Sequence, residues 1–501
     1  MKEERVIWWL KKDFRLADNP ALTQALAEGQ EVLPLFIIEP SALDSPETSA
    51  RHLHSWLDAV RELRRRIRKA GGELCVLHGE VLDLLPEVQK RAPFSTLISH
   101  QEIGIERTFA RDRAVQAWCR ENNITWHQPR QTGVFRALED RDERAKRWQK
   151  WTNAGPLPEP AAADLARLQV PDKVMVLRSR ENRRLLTPKH SRLQPVSESA
   201  AAKTLATFLQ QRSKGYSTGI SSPNTAFFNG SRLSVHLAWG TITGRHVYQA
   251  VQDRLAELKL SDDPDAGKWR RSLSSYLARL NWRDHFIQRL ESEPRMEFQS
   301  LNVAYDDLPF DKSDKTIAAW QNGATGFPLV DASIRCAQAT GFMNFRMRCM
   351  MTSLACHGLQ MDWRDLDYTM ARWWTDYEPG IHLSQLQMQA GVVGINTLRT
   401  YNPAKQIADH DPDAKFVKRW LPELKNNTPQ EIIDHQEKPL ATYLAPIVNR
   451  QESTAQMRSN YYRIKAQPRT KELAEAVYQK HGSRKRPPRK NAATKKAKKA
   501  A

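Results

Sequence analysis

The chain has 501 residues, 40% of them apolar, enough to fill the cores of two or three domains. Its formal net charge of +20 points toward polyanions, and the absence of any run of about 18 uncharged apolar residues argues against a membrane span. No apolar signal region follows the charged start, and the five scattered cysteines (Cys75, Cys119, Cys336, Cys349, Cys356) form no C-x-x-C pair, so a reduced, cytoplasmic protein is expected.

From residue 5 to about 128, apolar runs at 6–10, 31–38, 73–77, 94–99 and 124–127 read as short buried strands. Between them Leu53, Trp56, Leu57, Val60, Leu63 and Ile67 recur at helical spacing, and Gly71-Gly72 ends that helix as a C-cap would. This alternation predicts an α/β N-terminal domain, over 1–130, built on a doubly wound parallel sheet. No G-x-G-x-x-G follows the first strand, so an ordinary NAD fingerprint is absent. Residues 131–202 are charged, carry several prolines and hold no long periodic run, which predicts an interdomain linker.

Over 203–465 strand signals nearly vanish and helical spacing dominates, so the second domain is expected to be all-helical. Three of the cysteines fall close together there, but an iron–sulfur cluster usually takes four thiolates, and no metal site is expected. The extension 466–501 holds one weak helix and then a basic, mostly disordered stretch. Residues 484–499 carry nine Lys/Arg and no acid, which leaves +11 on the rest. That stretch reads either as a solubilising tail or as a non-specific DNA tether.

The opening Val6-Ile7-Trp8-Trp9-Leu10-Lys11-Lys12-Asp13-Phe14-Arg15-Leu16-Ala17-Asp18-Asn19-Pro20-Ala21-Leu22 reads closely as W-F-R-x-D-L-R-x-x-D-N-P-A-L. Further blocks follow: Gly230-Ser231-Arg232-Leu233-Ser234, Asn281-Trp282-Arg283-Asp284-His285-Phe286, Thr325 to Ala332, Arg346-Met347-Arg348, Tyr401-Asn402-Pro403 and Phe416 to Leu424. In this content and order the chain resembles the photolyase/cryptochrome family of flavoproteins, over roughly residues 5–450. The resemblance implies an N-terminal antenna domain and an all-helical FAD-binding domain.

The block Ser231, Arg232, Leu233, Ser234 offers small residues, hydroxyls and free amides before a helical stretch, suited to a pyrophosphate. In the family this block and an upstream tyrosine, here Tyr216, hold the FAD phosphates. Arg348 and Asp376 match a family salt bridge beside the flavin ring, and Glu378 matches a second acid there. Arg283, inside a matching block, and Asn344, two residues before another, complete the expected cofactor set. By an ungapped count from Asp376, His382 stands where family photolyases place an asparagine near the flavin N5, a change that would retune the cofactor.

Two departures bear on activity. Family enzymes that split cyclobutane dimers carry a glutamate where this chain has Arg279, while Trp282, whose indole can stack on a flipped pyrimidine pair or else pack as a core aromatic, is retained. The relay tryptophans map to Leu386, Trp363 and Phe310, so the usual electron route is broken, with Trp373 and Trp374 as candidate substitutes. The histidine pair of enzymes repairing (6-4) products is absent from residues 341–346.

The expected function is therefore blue-light-driven, FAD-dependent repair of cyclobutane pyrimidine dimers by a deoxyribodipyrimidine photolyase-like lyase, with Trp282, Arg279 and His382 at the reaction. The alternative is a cryptochrome-like photoreceptor without repair activity. The expected partner is UV-damaged DNA, single- or double-stranded, met by a monomer associated with the nucleoid. A second chromophore is implied beside the antenna loop, here Ser99-His100-Gln101-Glu102 with Glu106-Arg107 and Arg111-Asp112, although that loop binds different chromophores in different branches.

Overall fold

The computed structural model describes residues 5–178 and 193–482; the basic stretch 484–499 lies outside the described residues. Five strands, β1 (Arg5–Leu10), β2 (Glu31–Ile38), β3 (Cys75–His78), β4 (Thr96–Ile98) and β5 (Thr125–His127), form one parallel sheet in the order β3-β2-β1-β4-β5. Side chains alternate across a strand, so both faces of β1 must be apolar if both are covered. Val6, Trp8 and Leu10 pack with helices α1 (Pro20–Glu28) and α2 (Ala50–Lys69), and Ile7 and Trp9 with α3 (Val81–Arg91) and α4 (Glu106–Glu121). This is the doubly wound arrangement that the alternating pattern predicts.

Helix α2 ends on a basic turn, Arg66, Arg68 and Lys69, which complements the partial negative charge of its carboxyl end. Ala70 is the capping residue, and Gly71 then takes the left-handed turn at φ +90°. β3 starts two residues later than expected because Glu73 is held elsewhere. Its N–H donates to Leu168 O at 2.8 Å, and Arg64 and Arg68 hold its carboxylate.

The expected linker is more ordered than its composition implied. Helix α5 (Glu143–Asn153) buries Arg144, Trp148 and Trp151, at i, i+4 and i+7, and a further helix, Glu198–Thr207, begins before residue 203. Trp148 Nε1 donates to Asp284 Oδ2 at 2.9 Å, which binds this segment to the long helix α6 (Ala266–Ser292).

The rest of the helical part centres on α7 (Pro328–Thr340), α8 (Phe345–Ser353), α9 (Trp363–Trp373) and α10 (Pro379–Ala390), whose inward faces share one apolar core. Proline opens α10 and Gly391, at φ +85°, closes it. Gly380 lets α10 start directly on α6, since a Cβ there would stand 2.6 Å from Ile287 Cα. The sheet joins the helices through Arg15, which donates to Gly240 O at 2.9 Å, and Arg245, whose Nε lies 2.9 Å from Asp18 Oδ1. Among the described residues no helix is long and apolar enough to cross a membrane.

Candidate functional site

Helices α6, α8 and α10, with Met370 of α9 and the stretches 231–238 and 374–378, enclose a cavity of about 290 Å³. α6 contributes Tyr276, Arg279, Leu280 and Arg283, one stripe at i, i+3, i+4 and i+7, and α8 contributes Phe345, Arg348, Cys349 and Thr352. α10 adds Ile381, His382, Gln385, Leu386 and Gln389, while Ser231, Ser234 and Tyr216 close the remaining side.

Charge is concentrated on one wall. Arg348 Nη2 meets both carboxylate oxygens of Asp376, at 2.9 and 3.2 Å, and its Nε donates to Met343 O. Burial works to raise the Asp376 carboxyl, but the Arg348 charge and a hydrogen bond from Ser234 outweigh it, and the group sits below its usual range. Asp376 is therefore an anion at neutral pH. Glu378 is raised by burial, against Lys12 and Arg283, with Arg283 Nη2 at 3.4 Å. Burial also pushes the Tyr216 hydroxyl up to about 12, despite its hydrogen bond with Arg279.

His382 lines the cavity and its Nε2 lies 2.8 Å from Asp367 Oδ1. Gln385 Oε1 and Gln389 Oε1 are buried without a protein partner. Acceptors left open in a cavity wall suit a ligand with donors of its own. Together with hydroxyls, cations and a buried anion, they fit a polar ring system carrying phosphates. Gln385, Gln389, Tyr276 and Thr352 escaped sequence reading. Spacing from His382, Arg283 and Arg348 along their helices is the signal that leads to them.

Tyr216, Ser231, Ser234, Arg279, Arg283, Arg348, Asp376, Glu378 and His382 thus share one cavity, joined by Leu386 and Trp374. Others of the expected set lie outside its lining. Arg232 sits at φ +58° with its guanidinium between the rings of Phe227 and Phe342, at 4.2 and 3.8 Å, and Leu233 is fully buried beneath it. The helix that follows them, Ser234–Ala238, has only five residues. Asn344 Nδ2 donates to the carbonyls of Ile220 and Ser221.

Trp282 is neither a core aromatic nor part of the lining. It is 40% exposed, one turn along from Arg279, and its ring packs edge-on against His285 at 5.2 Å. Trp363 is buried, donating to Ser300 Oγ at 3.1 Å, and among the described residues no ring pair connects it to the cavity. Trp374 instead leads away from the cavity to Trp373 at 6.2 Å and on to Trp320 at 5.1 Å. Phe310 is partly buried against the helical core.

The loop expected beside a second chromophore lies at the carboxyl ends of β1 and β4, where the chain order of the sheet reverses. It is occupied by its own ion pairs. Arg111 meets Glu102 at 2.6 Å, Asp112 at 2.8 Å and Glu39 at 3.1 Å, and Lys11 meets Asp112 at 2.8 Å, while the buried His100 hydrogen-bonds Asp13 at 2.8 Å. About 70 Å³ remains beside Trp9 and Trp56, so seating a ring system there requires these pairs to part.

The family model described as DNA photolyase matches residues 6–149, and that described as the FAD binding domain of DNA photolyase matches residues 276–463. The chain is 26% identical over 486 residues to a deoxyribodipyrimidine photo-lyase of Synechococcus sp., covering 92% of this chain and 97% of that protein. It is 28% identical over 446 residues to the deoxyribodipyrimidine photo-lyase of Thermus thermophilus, covering 87% and 96%. Among solved structures, a bacterial class III photolyase from Agrobacterium tumefaciens superposes with a TM-score of 0.80 at 24% identity, over 93% of this chain and 99% of that one, a likeness of fold.

Proposed function

Because the chain belongs to the photolyase/cryptochrome family and carries its FAD-binding domain, we propose that it is a photolyase-like lyase that repairs cyclobutane pyrimidine dimers in DNA under blue light. The observation that carries this reading is the open approach to the cavity, where the exposed Arg279 lines the mouth and the partly exposed indole of Trp282, packed edge-on against His285, lies one turn further along the same helix. The chemistry supplied by bound, reduced FAD is the light-driven transfer of one electron to the dimer and its return once the cyclobutane ring has opened.

The chain's own residues bind and orient. Tyr216 and Ser231 offer hydroxyls to the cofactor phosphates, while Ser234, committed to Asp376, helps set the Arg348–Asp376 pair that would hold one edge of its ring. His382, anchored by Asp367, can hold or donate a proton at that edge. Arg279 can meet a phosphate or the lesion carbonyls, and Trp282 can stack on an everted base, which contributes about 1–3 kcal/mol per base. The low-dielectric walls Leu280, Ile381 and Leu386 exclude water from the reacting rings.

Illuminating the chemically reduced protein with a dimer-containing oligonucleotide tests this directly, with restored thymine absorbance as the expected result. A second reading, a blue-light receptor that does not repair, draws on Arg279, which stands where family repair enzymes carry a glutamate. Light-induced change in the flavin spectrum with no dimer splitting would favour it.

A further inference from the structure

A second cavity, of about 300 Å³, lies where the last two helices of the described chain, α11 (Arg450–Ala466) and α12 (Pro468–His481), meet the short helical turn Val303–Asp307. It shares no lining residue with the cavity between α6, α8 and α10. Five of its eight lining residues lie beyond residue 463, where the matched FAD-binding domain ends. Its volume falls within the range of small-molecule sites, about 300–1,000 Å³, and exceeds what imperfect packing leaves behind.

The hollow is built before any ligand arrives. Tyr305, fully buried, forms the inner wall and stacks on Tyr461 at 4.9 Å with 13° between the rings. Asn302 Nδ2 donates to Thr470 O at 3.0 Å and Asn302 N to Val392 O at 3.2 Å, which ties the start of α12 to the segments on either side. Gly394, at φ +84°, lets the chain close on that amide, since a Cβ there would stand 2.6 Å from Asn302 Nδ2. Walls fixed in advance lose little entropy on binding.

The open side carries charge of one sign. Tyr462 is 45% exposed, and Lys465 Nζ stands 5.7 Å from its ring. Lys471 joins Lys465 in the lining, no lining residue is acidic, and among the described residues neither lysine has an acidic partner. No side chain caps the amino end of α12, a helix of 14 residues, so amides of its first turn keep their donors. Thr470, in that same turn and in the lining, is 1% exposed, and its Oγ1 has no partner. A hydroxyl as well as amides is thus left for an incoming acceptor.

We propose that this cavity binds a nucleoside monophosphate, its base against Tyr462 and its phosphate held by Lys465, Lys471, the Thr470 hydroxyl and the open amides at the start of α12. A wall of tyrosine rings, alanines and lysine stems takes a flat apolar group. Two ammonium groups beside an uncapped helix start take an anion attached to it. These donors gather at one place, the end of α11 and the first turn of α12, which suits a single phosphate. The site stands apart from the repair reading and uses none of its residues.

The test is isothermal titration calorimetry of the full-length, FAD-loaded protein with AMP, adenosine and inorganic phosphate in turn. AMP should bind at one site, about tenfold or more tighter than either fragment, because only it engages ring and cations together. Lys465→Gln/Lys471→Gln should weaken AMP by about tenfold and leave adenosine within about twofold, whereas Tyr462→Leu should weaken both. If the lysine pair lowers thermal stability, Thr470→Val, which keeps the shape and removes the hydroxyl, decides the matter by the same comparison of AMP with adenosine. No heat from AMP at millimolar concentration, or adenosine or phosphate binding as tightly as AMP, overturns the proposal. So does unchanged AMP affinity in the stable variant, which would assign the heat to the basic stretch 484–499. None of these readouts depends on dimer splitting.

Discussion

His382 Nε2 lies 2.8 Å from Asp367 Oδ1, which places a carboxylate directly behind an imidazole that faces the cofactor cavity. The contact joins the middle of α9 to the first turn of α10, two helices that the core has already packed together. Changing Asp367 to Ala leaves the buried ring with only the backbone carbonyl at 3.2 Å, a weaker acceptor. We expect a loss of about 1–3 kcal/mol, read as a lower urea midpoint of the apoprotein, and a smaller loss for Asp367→Asn, which can still hydrogen-bond the ring.

Glu297 should make stability depend on pH. Burial first, then Asp367, Glu47 and Glu106, push its carboxyl up to about 7, although it accepts the Glu106 N–H at 2.6 Å. The folded state therefore holds a proton that the unfolded state releases near its ordinary value. Stability from this group is complete below about pH 4.5 and is lost as pH rises through about 7. Since the side chain is partly solvated, the effect is on the order of 1 kcal/mol. Glu297→Gln should match the parent in acid and exceed it in urea resistance above neutrality; equal pH profiles would refute the assignment.

Arg289 is 5% exposed, and its Nε and Nη1 are without partners. Burial, with Arg141 nearby, lowers it to about 10. A desolvated cation with unmet donors costs more than the packing it supplies, so Arg289→Met should be neutral or stabilising by about 1 kcal/mol or more in urea denaturation. A marked loss would mean that the guanidinium has an anionic partner in solution.

Electron supply to the cofactor should follow Trp374 and not Trp363. Trp374 lines the cavity and continues through Trp373 to Trp320, whereas Trp363 points its indole N–H at Ser300. Under continuous blue light with an external reductant, Trp374→Phe should slow reduction of bound FAD several-fold, and Trp363→Phe should leave the rate close to the parent's. The reverse order of sensitivity would restore the Trp363 position to the relay.

What could be read from the chain alone follows what each signal measures. β2 matches its expected span because a strand buried on both faces is a continuous apolar run, visible without knowing its neighbours. β3 was displaced by Glu73, whose N–H is taken by the distant Leu168 carbonyl while the nearby Arg64 and Arg68 hold its carboxylate. In α5, Trp148 and Trp151 carried a helical period that charged neighbours concealed. At the cavity, Arg348 and Asp376 became a pair only through the resemblance, because nothing local links residues so far apart. Gln385 and Gln389 were legible as spacing but not as function, since an amide becomes informative only when it is buried without a partner.

Gly380 removes the side chain that would otherwise separate α10 from α6, so these two walls of the cavity touch through main chain. Their spacing is consequently independent of which side chains line the cavity. At Gly380, therefore, the approach of the two walls is set by main chain and not by the side chains Leu386, His382 and Arg279 that line the cavity. The position that resists change is the one residue with no side chain to contribute.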